Sequence, residues 1–362
     1  MRRLFPLAVL CAVLSGGTLA GRVGVEGSPP KACCGQRRAR APESAAQKPR
    51  ASRYVRIGHY QCIVQQGDFQ ANLDKVVEGL KLAEEAKLDI LSFPETSLAG
   101  FFANETDARK YAFAIDSPQM KELLRRTAGF NTLFLIGFGE LRGDDLYNTV
   151  AVIERGKLLG RYSKAFPVVR YFTPGREFPV FEKKGLKFGV VICADGGYIE
   201  PCRILALKGA RVIFAPHHNF VRSPIRHYQR VRNDHVARAV ENGVFFVRGN
   251  NVVPDNQLKL EGHGDHIGYG YGDSYVVDYN GQIVASAGLY KEYLMIYNFD
   301  LQKSYLGEPA RRSRWSAAAL LPALKEALGP SPGRHPNDRR REHKVGGNED
   351  NKRNDTVLAN GK

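Results

Sequence analysis

The 362-residue sequence predicts an α/β protein with a mixed β-sheet, and two patterns lead to that prediction. Short runs rich in apolar and β-branched residues alternate with amphipathic helical segments through most of the chain. Further strand-like runs follow, two of them separated by Asn280-Gly281, a dipeptide that favours a tight hairpin turn. Alternation followed by a hairpin-rich end is typical of an α/β domain that contains both parallel and antiparallel strands.

Several of the predicted strands are continuously apolar, as expected for strands buried in a sheet. They cover residues 54–64, 88–93, 133–138, 149–153, 187–192, 211–215, 244–247, 274–278, 283–285 and 292–299. One helix is predicted by the apolar face of Leu73, Val76, Val77, Leu80 and Ala83, and others by residues 118–128, 199–208 and 223–241. We expect Ser223 to cap the last helix, with Pro224 in its first turn.

Composition and charge exclude several classes of protein. The chain is 43% hydrophobic and 25% charged, which fits a globular protein, and its six cysteines are too few for a disulfide scaffold. Beyond the N-terminus no apolar run is long enough to span a membrane. The net charge of +16 lies mostly near the two ends, since residues 51–329 hold 36 of the 53 basic and 30 of the 37 acidic residues. A nucleic-acid-binding protein more often has a basic folded face and a recognisable motif, so we expect no nucleic-acid partner.

The chain is predicted to contain one folded domain. The expected segments are a signal peptide (1–20), a disordered linker (21–50), the domain (51–329) and a disordered polar tail (330–362). The signal is indicated by two early arginines, a short apolar stretch and a small-residue cleavage site ending at Ala20. If it is genuine, the protein is exported to the periplasm or beyond the cell. Otherwise it is cytoplasmic, and residues 1–50 are an over-extended gene start or a dispensable extension.

Three residues at predicted strand ends have the chemistry of a catalytic site. Cys193 follows an apolar strand and precedes a helix, where nearby backbone N–H groups stabilise a thiolate. Glu95 ends a similar strand, where partial burial raises the pKa of a carboxyl group towards that of a general base. Lys164 follows another strand pair. Taken singly, these residues are equally typical of a core cysteine, a capping glutamate and a surface lysine.

In this order and context the three residues resemble those of the carbon–nitrogen hydrolase (nitrilase-like amidase) family. The matching motifs are Phe-Pro-Glu-Thr-Ser-Leu-Ala-Gly-Phe (93–101), Tyr-Ser-Lys (162–164), Tyr-Phe-Thr-Pro-Gly (171–175), Gly-Val-Val-Ile-Cys-Ala-Asp (189–195), Leu-Lys-Gly-Ala (207–210), Arg-Ala-Val-Glu-Asn-Gly (238–243) and Gly-Asp-Ser (272–274). The resemblance implies a four-layer α-β-β-α sandwich whose protomers pair into a homo-oligomer.

The resemblance also implies the chemistry of a thiol amidohydrolase. Cys193 would be the nucleophile, Glu95 the general base and acid, and Lys164 with the N–H of Ala194 the oxyanion donors. The expected substrate is a small linear amide or N-carbamoyl compound that releases ammonia, with no metal or organic cofactor. A nitrilase and an acyl-transferring relative are alternatives within the family. After the nucleophile, the small Ala194 implies a roomier pocket and favours simple amides.

One departure from the family pattern leaves a different class of function open. Many members carry a second glutamate before the Tyr-Phe-Thr-Pro-Gly motif, where this chain has Val168 and Val169. The alternative hypothesis is therefore a catalytically weakened binding or scaffolding protein. A thiol-reactive probe that labels Cys193 would distinguish the two.

The histidines and the remaining polar residues are assigned lesser roles. His217 and His218 are neighbours on a predicted strand and point to opposite faces, so we expect one of them, His218, to contact substrate. His263 and His266 lack a third ligand at a zinc-like spacing, so no metal site is predicted there. Arg238 and Glu241 are expected to form a structural pair. Cys202, on the helix after Cys193, is expected to be an inert cysteine.

Overall fold

The structure is a computed structural model that describes residues 52–219, 223–253, 266–267, 270–302 and 308–329. The predicted signal peptide (1–20), linker (21–50) and polar tail (330–362) lie outside the described residues, as does His263.

Most strands begin and end within a few residues of the apolar runs. They are β1 (Tyr54–Gln61), β2 (Ile90–Ser92), β3 (Leu133–Arg142), β4 (Asp145–Glu154), β5 (Lys157–Ser163), β6 (Val180–Lys183), β7 (Leu186–Val190), β8 (Val212–Pro216), β9 (Ser223–Pro224), β10 (Phe245–Gly249), β11 (His266–Ile267), β12 (Gly272–Val277), β13 (Ile283–Leu289) and β14 (Tyr293–Asp300). The helices are α1 (Phe69–Glu85), α2 (Glu105–Tyr111), α3 (Pro118–Thr127), α4 (Ile199–Leu207), α5 (Ile225–Asn242) and α6 (Glu308–Leu328), with a 3₁₀ turn at Cys193–Gly197.

The main strands form two six-stranded mixed sheets. The first sheet has the order β14-β1-β2-β3-β4-β5, and the second has the order β13-β12-β10-β8-β7-β6. In the first, β1, β2 and β3 are parallel, and in the second β7, β8 and β10 are parallel. Each sheet therefore has a parallel centre with antiparallel flanks, and the carboxyl ends of its central strands share one edge.

Three apolar clusters divide the domain into four layers. The cluster between the two sheets includes Val55, Leu135, Val190 and Phe214. The cluster between the first sheet and its helices includes Leu73 and Leu80 of α1 with Met120 and Leu123 of α3. The cluster on the outer face of the second sheet includes Cys202 and Leu205 of α4 with Ala239 of α5. Helix, sheet, sheet and helix thus stack in that order, which confirms the predicted α-β-β-α sandwich.

The predicted helices and the hairpin agree with the structure, with one correction. Helix α1 begins after Asp68, whose side chain accepts a hydrogen bond from the Ala71 N–H at 2.9 Å. Gly281 has a φ of 84° in the turn between β12 and β13, as the Asn-Gly pair predicts. The prediction that Ser223 caps α5 is wrong, since Ser223–Pro224 forms strand β9 and pairs with β11. The pairing residues lie more than forty positions further along the chain, so no local signal reports them.

Among the residues that the structure describes, no helix is long and apolar enough to cross a membrane.

Candidate active site

Glu95 is held at the end of β2 by contacts with both sheets. Its backbone N–H donates to the carbonyl of His217, which follows β8 in the second sheet, at 3.2 Å. Thr96, the next residue, has a φ of 50°, so the chain turns sharply after the glutamate. Gly137 on β3 makes room for this turn, because a Cβ at that position would overlap the backbone of Glu95 and Thr96. The turn thereby points the Glu95 side chain into the space between the sheets, where it is 1% exposed.

Lys164 directly follows β5 and is equally buried. Its backbone N–H donates to the carbonyl of Asn148 at 2.9 Å, and its carbonyl accepts from the N–H of Gly175 at 2.8 Å. A Cβ on Gly175 would overlap the Ser163 carbonyl, so glycine is required for this close approach. These contacts orient the side chain so that its Nζ lies 2.7 Å from Oε1 of Glu95.

Cys193 lies three residues beyond β7, at the first position of the 3₁₀ turn. Its φ is 48°, a left-handed conformation that costs a non-glycine residue about 1 kcal/mol or more and is typical of functional sites. The backbone N–H groups of a first helical turn have no acceptor within the helix, and no hydrogen bond joins the Ala194 N–H to another described residue, so it can donate to an anion. Cys193 and Ala194 are both partly exposed as residues, unlike the buried Glu95 and Lys164, so this turn borders solvent.

The Glu95 carboxylate is surrounded by donors. Oε1 accepts from Lys164 and from the side-chain amide of Asn148, at 2.7 and 2.6 Å. Oε2 accepts from the backbone N–H of His218 at 2.9 Å. The His218 ring bonds through Nδ1 to the Glu95 carbonyl at 3.1 Å, so Nδ1 carries the proton and Nε2 is left as an acceptor. Three donors thus fix the carboxylate close to Cys193.

Electrostatics hold the resting thiol in its neutral form. Burial raises the pKa of Cys193 to about 12, and the negative charge of Glu95 adds to this increase. The positive charges of Lys164 and Arg248 act in the opposite direction without cancelling it. Burial lowers the pKa of Lys164, but the negative charges around it, with Glu95 first and Asp195 also contributing, together raise that pKa, so the side chain stays an ammonium. Burial lowers the pKa of His218, so its ring is neutral.

The structure brings together the residues that the sequence singled out. Glu95, Lys164 and Cys193 form one cluster, and Ala194 and His218 border it. Arg238 and Glu241 form an ion pair on α5 at 2.5 Å, and Cys202 is buried in α4. Across the described ranges, no group of three His, Cys, Asp or Glu side chains is arranged to hold a metal ion.

Two residues of the site were missed in the sequence. Asn148 directly precedes a predicted apolar run, and nothing in the sequence marks it as functional. The structure places its side chain in β4, where it is buried and therefore requires a hydrogen-bond partner. Asp195 belongs to the motif around Cys193, from which no role is predicted for it. Its side chain is fully buried and accepts three hydrogen bonds. Val168, which precedes the Tyr-Phe-Thr-Pro-Gly motif, is 58% exposed.

Comparison with known proteins establishes the class of protein. A sequence model of the family described as carbon-nitrogen hydrolase matches residues 56–306. Since this is more than half of the chain, the protein belongs to that family, and the resemblance inferred from its motifs is confirmed.

Individual relatives are more distant. The chain is 29% identical over 263 residues to the glutamine-dependent NAD(+) synthetase of Thermotoga maritima, covering 68% of this chain and 42% of the relative. It is 27% identical over 247 residues to the citrullinase of Francisella tularensis (63% of this chain, 83% of the relative). It is 33% identical over 184 residues to the N-carbamoylputrescine amidase of Solanum lycopersicum (46% and 59%). The chain thus spans about two fifths of the length of the NAD(+) synthetase.

Solved structures show the same fold. A mutant of the amidase from Nesterenkonia sp. AN1, with the acetamide moiety of fluoroacetamide added covalently at its active-site cysteine, matches with a TM-score of 0.56. It is 21% identical in sequence, and the match covers 71% of this chain and 95% of the amidase.

Proposed function

We propose that the protein is a thiol amidohydrolase that cleaves a linear amide or N-carbamoyl substrate and releases ammonia through a thioester on Cys193. The observation that carries this proposal is the convergence of three groups. A thiol, a carboxylate and an ammonium from different strand ends meet at one point, with Lys164 Nζ 2.7 Å from Glu95 Oε1 and the same carboxylate close enough to Cys193 to raise the pKa of the thiol. If the pair of Glu95 and Lys164 only stabilised the fold, it would not require the Cys193 thiol next to it.

The acylation step follows from the protonation states. Because the pKa of Cys193 is about 12, the resting thiol is neutral and becomes a nucleophile only by giving its proton to Glu95 as sulfur attacks the carbonyl carbon. The oxygen of that carbonyl gains the negative charge, which the Lys164 ammonium and the Ala194 N–H stabilise. The carbon–nitrogen bond then breaks, and Glu95 passes the proton to the departing ammonia. A thioester remains on Cys193, or the corresponding thiocarbamate when the substrate is an N-carbamoyl compound.

Deacylation uses the same groups in reverse. Glu95 removes a proton from water, the hydroxide attacks the thioester carbonyl, and the same two donors stabilise the second oxyanion. The sulfur–carbon bond breaks and the thiolate recovers its proton from Glu95, which restores the starting state. Lys164 faces a negative charge at each stage, from the Glu95 carboxylate in the resting state and from the oxyanion once Glu95 holds the proton.

The substrate class is supported by His218 and Ala194. The Nε2 atom of His218 makes no hydrogen bond to any described residue, so this neutral acceptor is available to an amide NH₂ group. The small side chain of Ala194 leaves space next to the nucleophile. A terminal carboxamide or carbamoyl group combines an NH₂ donor with an attackable carbonyl, and two relatives are a citrullinase and an N-carbamoylputrescine amidase.

Ammonia release across short amides, N-carbamoyl amino acids, N-carbamoyl amines and nitriles tests the proposal. We expect turnover of a carboxamide or carbamoyl compound and an acyl adduct on Cys193 in the intact mass. Cys193→Ala should abolish turnover while the fold is retained, because the substitution leaves a small cavity. Cys202→Ala is the matched control and should keep near-wild-type turnover. Binding without ammonia release or labelling of Cys193 would favour the scaffolding alternative, and turnover of nitriles alone would favour a nitrilase.

The assembly and the destination of the protein are proposed on the resemblance and on the N-terminal residues. A homo-oligomer predicts a mass above 40.2 kDa in size-exclusion chromatography with light scattering. Export predicts that the native protein is found outside the cytoplasm and lacks residues 1–20 by intact mass. A full-length chain confined to the cytosol would refute export.

A further inference from the structure

A buried carboxylate joins the chain segments that carry two of the proposed catalytic residues. Asp195 has no solvent exposure. Its Oδ1 accepts from the backbone N–H of Phe166 at 2.8 Å, and its Oδ2 accepts from the hydroxyl of Tyr162 at 2.7 Å and the backbone N–H of Ile192 at 3.0 Å. Both oxygens are therefore occupied by donors within this chain, and the side chain is not available to substrate.

The hydrogen-bond partners of Asp195 flank Lys164 on both sides and adjoin Cys193 in the sequence. Tyr162 lies two residues before Lys164 and Phe166 lies two residues after it, while Ile192 directly precedes Cys193. The lysine segment belongs to the first sheet and the cysteine turn to the second. Asp195 thus connects these two segments by hydrogen bonds that lie within two residues of both functional groups.

We propose that Asp195 is a positioning residue that fixes the distance between the Cys193 thiol and the Lys164 ammonium by binding the chain on both sides of Lys164 and immediately before Cys193. The inference rests on the proposed function, in which both groups act on the same carbonyl. A shift of about 1 Å in such an arrangement costs up to about a hundredfold in rate. Asp195 itself touches no reacting atom.

Electrostatics agree with this geometry. The Asp195 carboxylate is one of the charges that raise the pKa of Lys164. Burial raises the pKa of Asp195 itself, while the Lys164 charge and the three hydrogen bonds oppose that increase. Asp195 thus supplies Lys164 with a second negative charge from the cysteine side, in addition to the one from Glu95.

Two substitutions of graded severity test the proposal. Asp195→Asn replaces an acceptor oxygen by an NH₂ group that faces a donor, and Tyr162→Phe removes one hydrogen bond without changing charge. We expect kcat to fall about a hundredfold in Asp195→Asn and about three- to tenfold in Tyr162→Phe, with KM within twofold of wild type. Tyr162→Phe decides the question if Asp195→Asn does not fold.

Glu84→Gln is the matched control. Glu84 also accepts three hydrogen bonds at 2.8 Å through Oε1, from the N–H of Asn131 and from the N–H and hydroxyl of Thr132, but it lies at the C-terminal end of α1 and contacts the segment before β3. It should lower the free energy of unfolding and leave kcat unchanged. A merely structural Asp195 would behave in the same way, with loss of stability and unaltered kcat.

A second measurement does not depend on turnover. The rate of alkylation of Cys193 by iodoacetamide at pH 8 should fall at least threefold in Tyr162→Phe, because Lys164 is held less closely and lowers the pKa of the thiol less. If Tyr162→Phe keeps the wild-type kcat and its alkylation rate is unchanged or increased, the positioning role is overturned. If the wild-type protein releases no ammonia from any compound, the proposed function fails, while the alkylation rates still decide whether Asp195 positions the two groups.

Discussion

Replacing Glu95 with glutamine is expected to change two reactivities of Cys193 in opposite directions. The substitution keeps the size of the side chain and removes both the general base and a negative charge beside the thiol. Turnover should fall by orders of magnitude, because nothing accepts the thiol proton during attack. Alkylation by a small reagent that needs only thiolate should become faster, because the charge that raises the thiol pKa is gone.

The size of the increase follows from the interaction of two neighbouring unit charges. Two unit charges about 4 Å apart interact with about 4 kcal/mol at an effective dielectric constant of about 20, which equals roughly three pKa units. The Cys193 pKa of about 12 should therefore fall by about one to three units. Each unit raises the thiolate fraction about tenfold and lowers its nucleophilicity about threefold. Alkylation of Glu95→Gln at pH 8 should be about 3- to 30-fold faster than in the wild type.

The assay is the rate of carbamidomethylation by iodoacetamide, followed by peptide mapping so that Cys193 is counted separately from the other five cysteines. Glu154→Gln is the control, because Glu154 also pairs with a lysine, Lys183, but lies away from the site. Its alkylation rate should equal that of the wild type. Slower alkylation of Glu95→Gln, or unchanged turnover, would refute the argument that Glu95 both suppresses and activates the thiol.

Three further predictions concern other parts of the site and the core. Lys164→Met should lower kcat by orders of magnitude with no proportionate loss of thermal stability, measured by steady-state kinetics and calorimetry; near-wild-type turnover would remove the lysine from the mechanism. Gly175→Ala should lower kcat at least tenfold, because its Cβ would displace the backbone that orients Lys164, whereas Gly129→Ala, where a Cβ meets open space, should have no effect. His59→Gln should weaken the acid sensitivity of folding. Burial lowers the pKa of His59 to about 3 from 6.5, so the unfolded chain binds a proton that the folded one does not, and stability is lost as the pH falls from 6.5 towards 3. At about 1.4 kcal/mol per pH unit, urea unfolding at pH 7 and pH 4.5 should show about 2.7 kcal/mol less destabilisation in the variant, and an unchanged pH dependence would contradict this assignment.

The motifs of the sequence predicted the three central residues of the site. Glu95, Lys164 and Cys193 each follow a predicted strand, and their resemblance to a family pattern groups them, since each residue alone is equally typical of a structural role. Asn148 and Asp195 could not be assigned in this way. Their roles depend on which donors and acceptors face them from other segments, and the sequence does not state those distances.

The error at Ser223 has a similar physical origin. A serine followed by proline is compatible both with the start of a helix and with an extended strand. Pairing with His266 and Ile267 decides between them, and that contact is remote in sequence. Local propensity therefore yields to a tertiary contact at this point.

The proposed catalytic groups are divided between the two sheets. The rate of the reaction therefore depends on the position of one sheet relative to the other. Glu95 and Lys164 belong to one sheet and Cys193 to the other, and the apolar layer between the sheets, with Val190 and Phe214, sets their spacing. Shrinking a side chain in that layer should let the sheets settle closer or slide, although each sheet keeps its own hydrogen-bonded strands. Enzyme activity should accordingly disappear at denaturant concentrations at which the strand and helix content, seen by circular dichroism, is still intact.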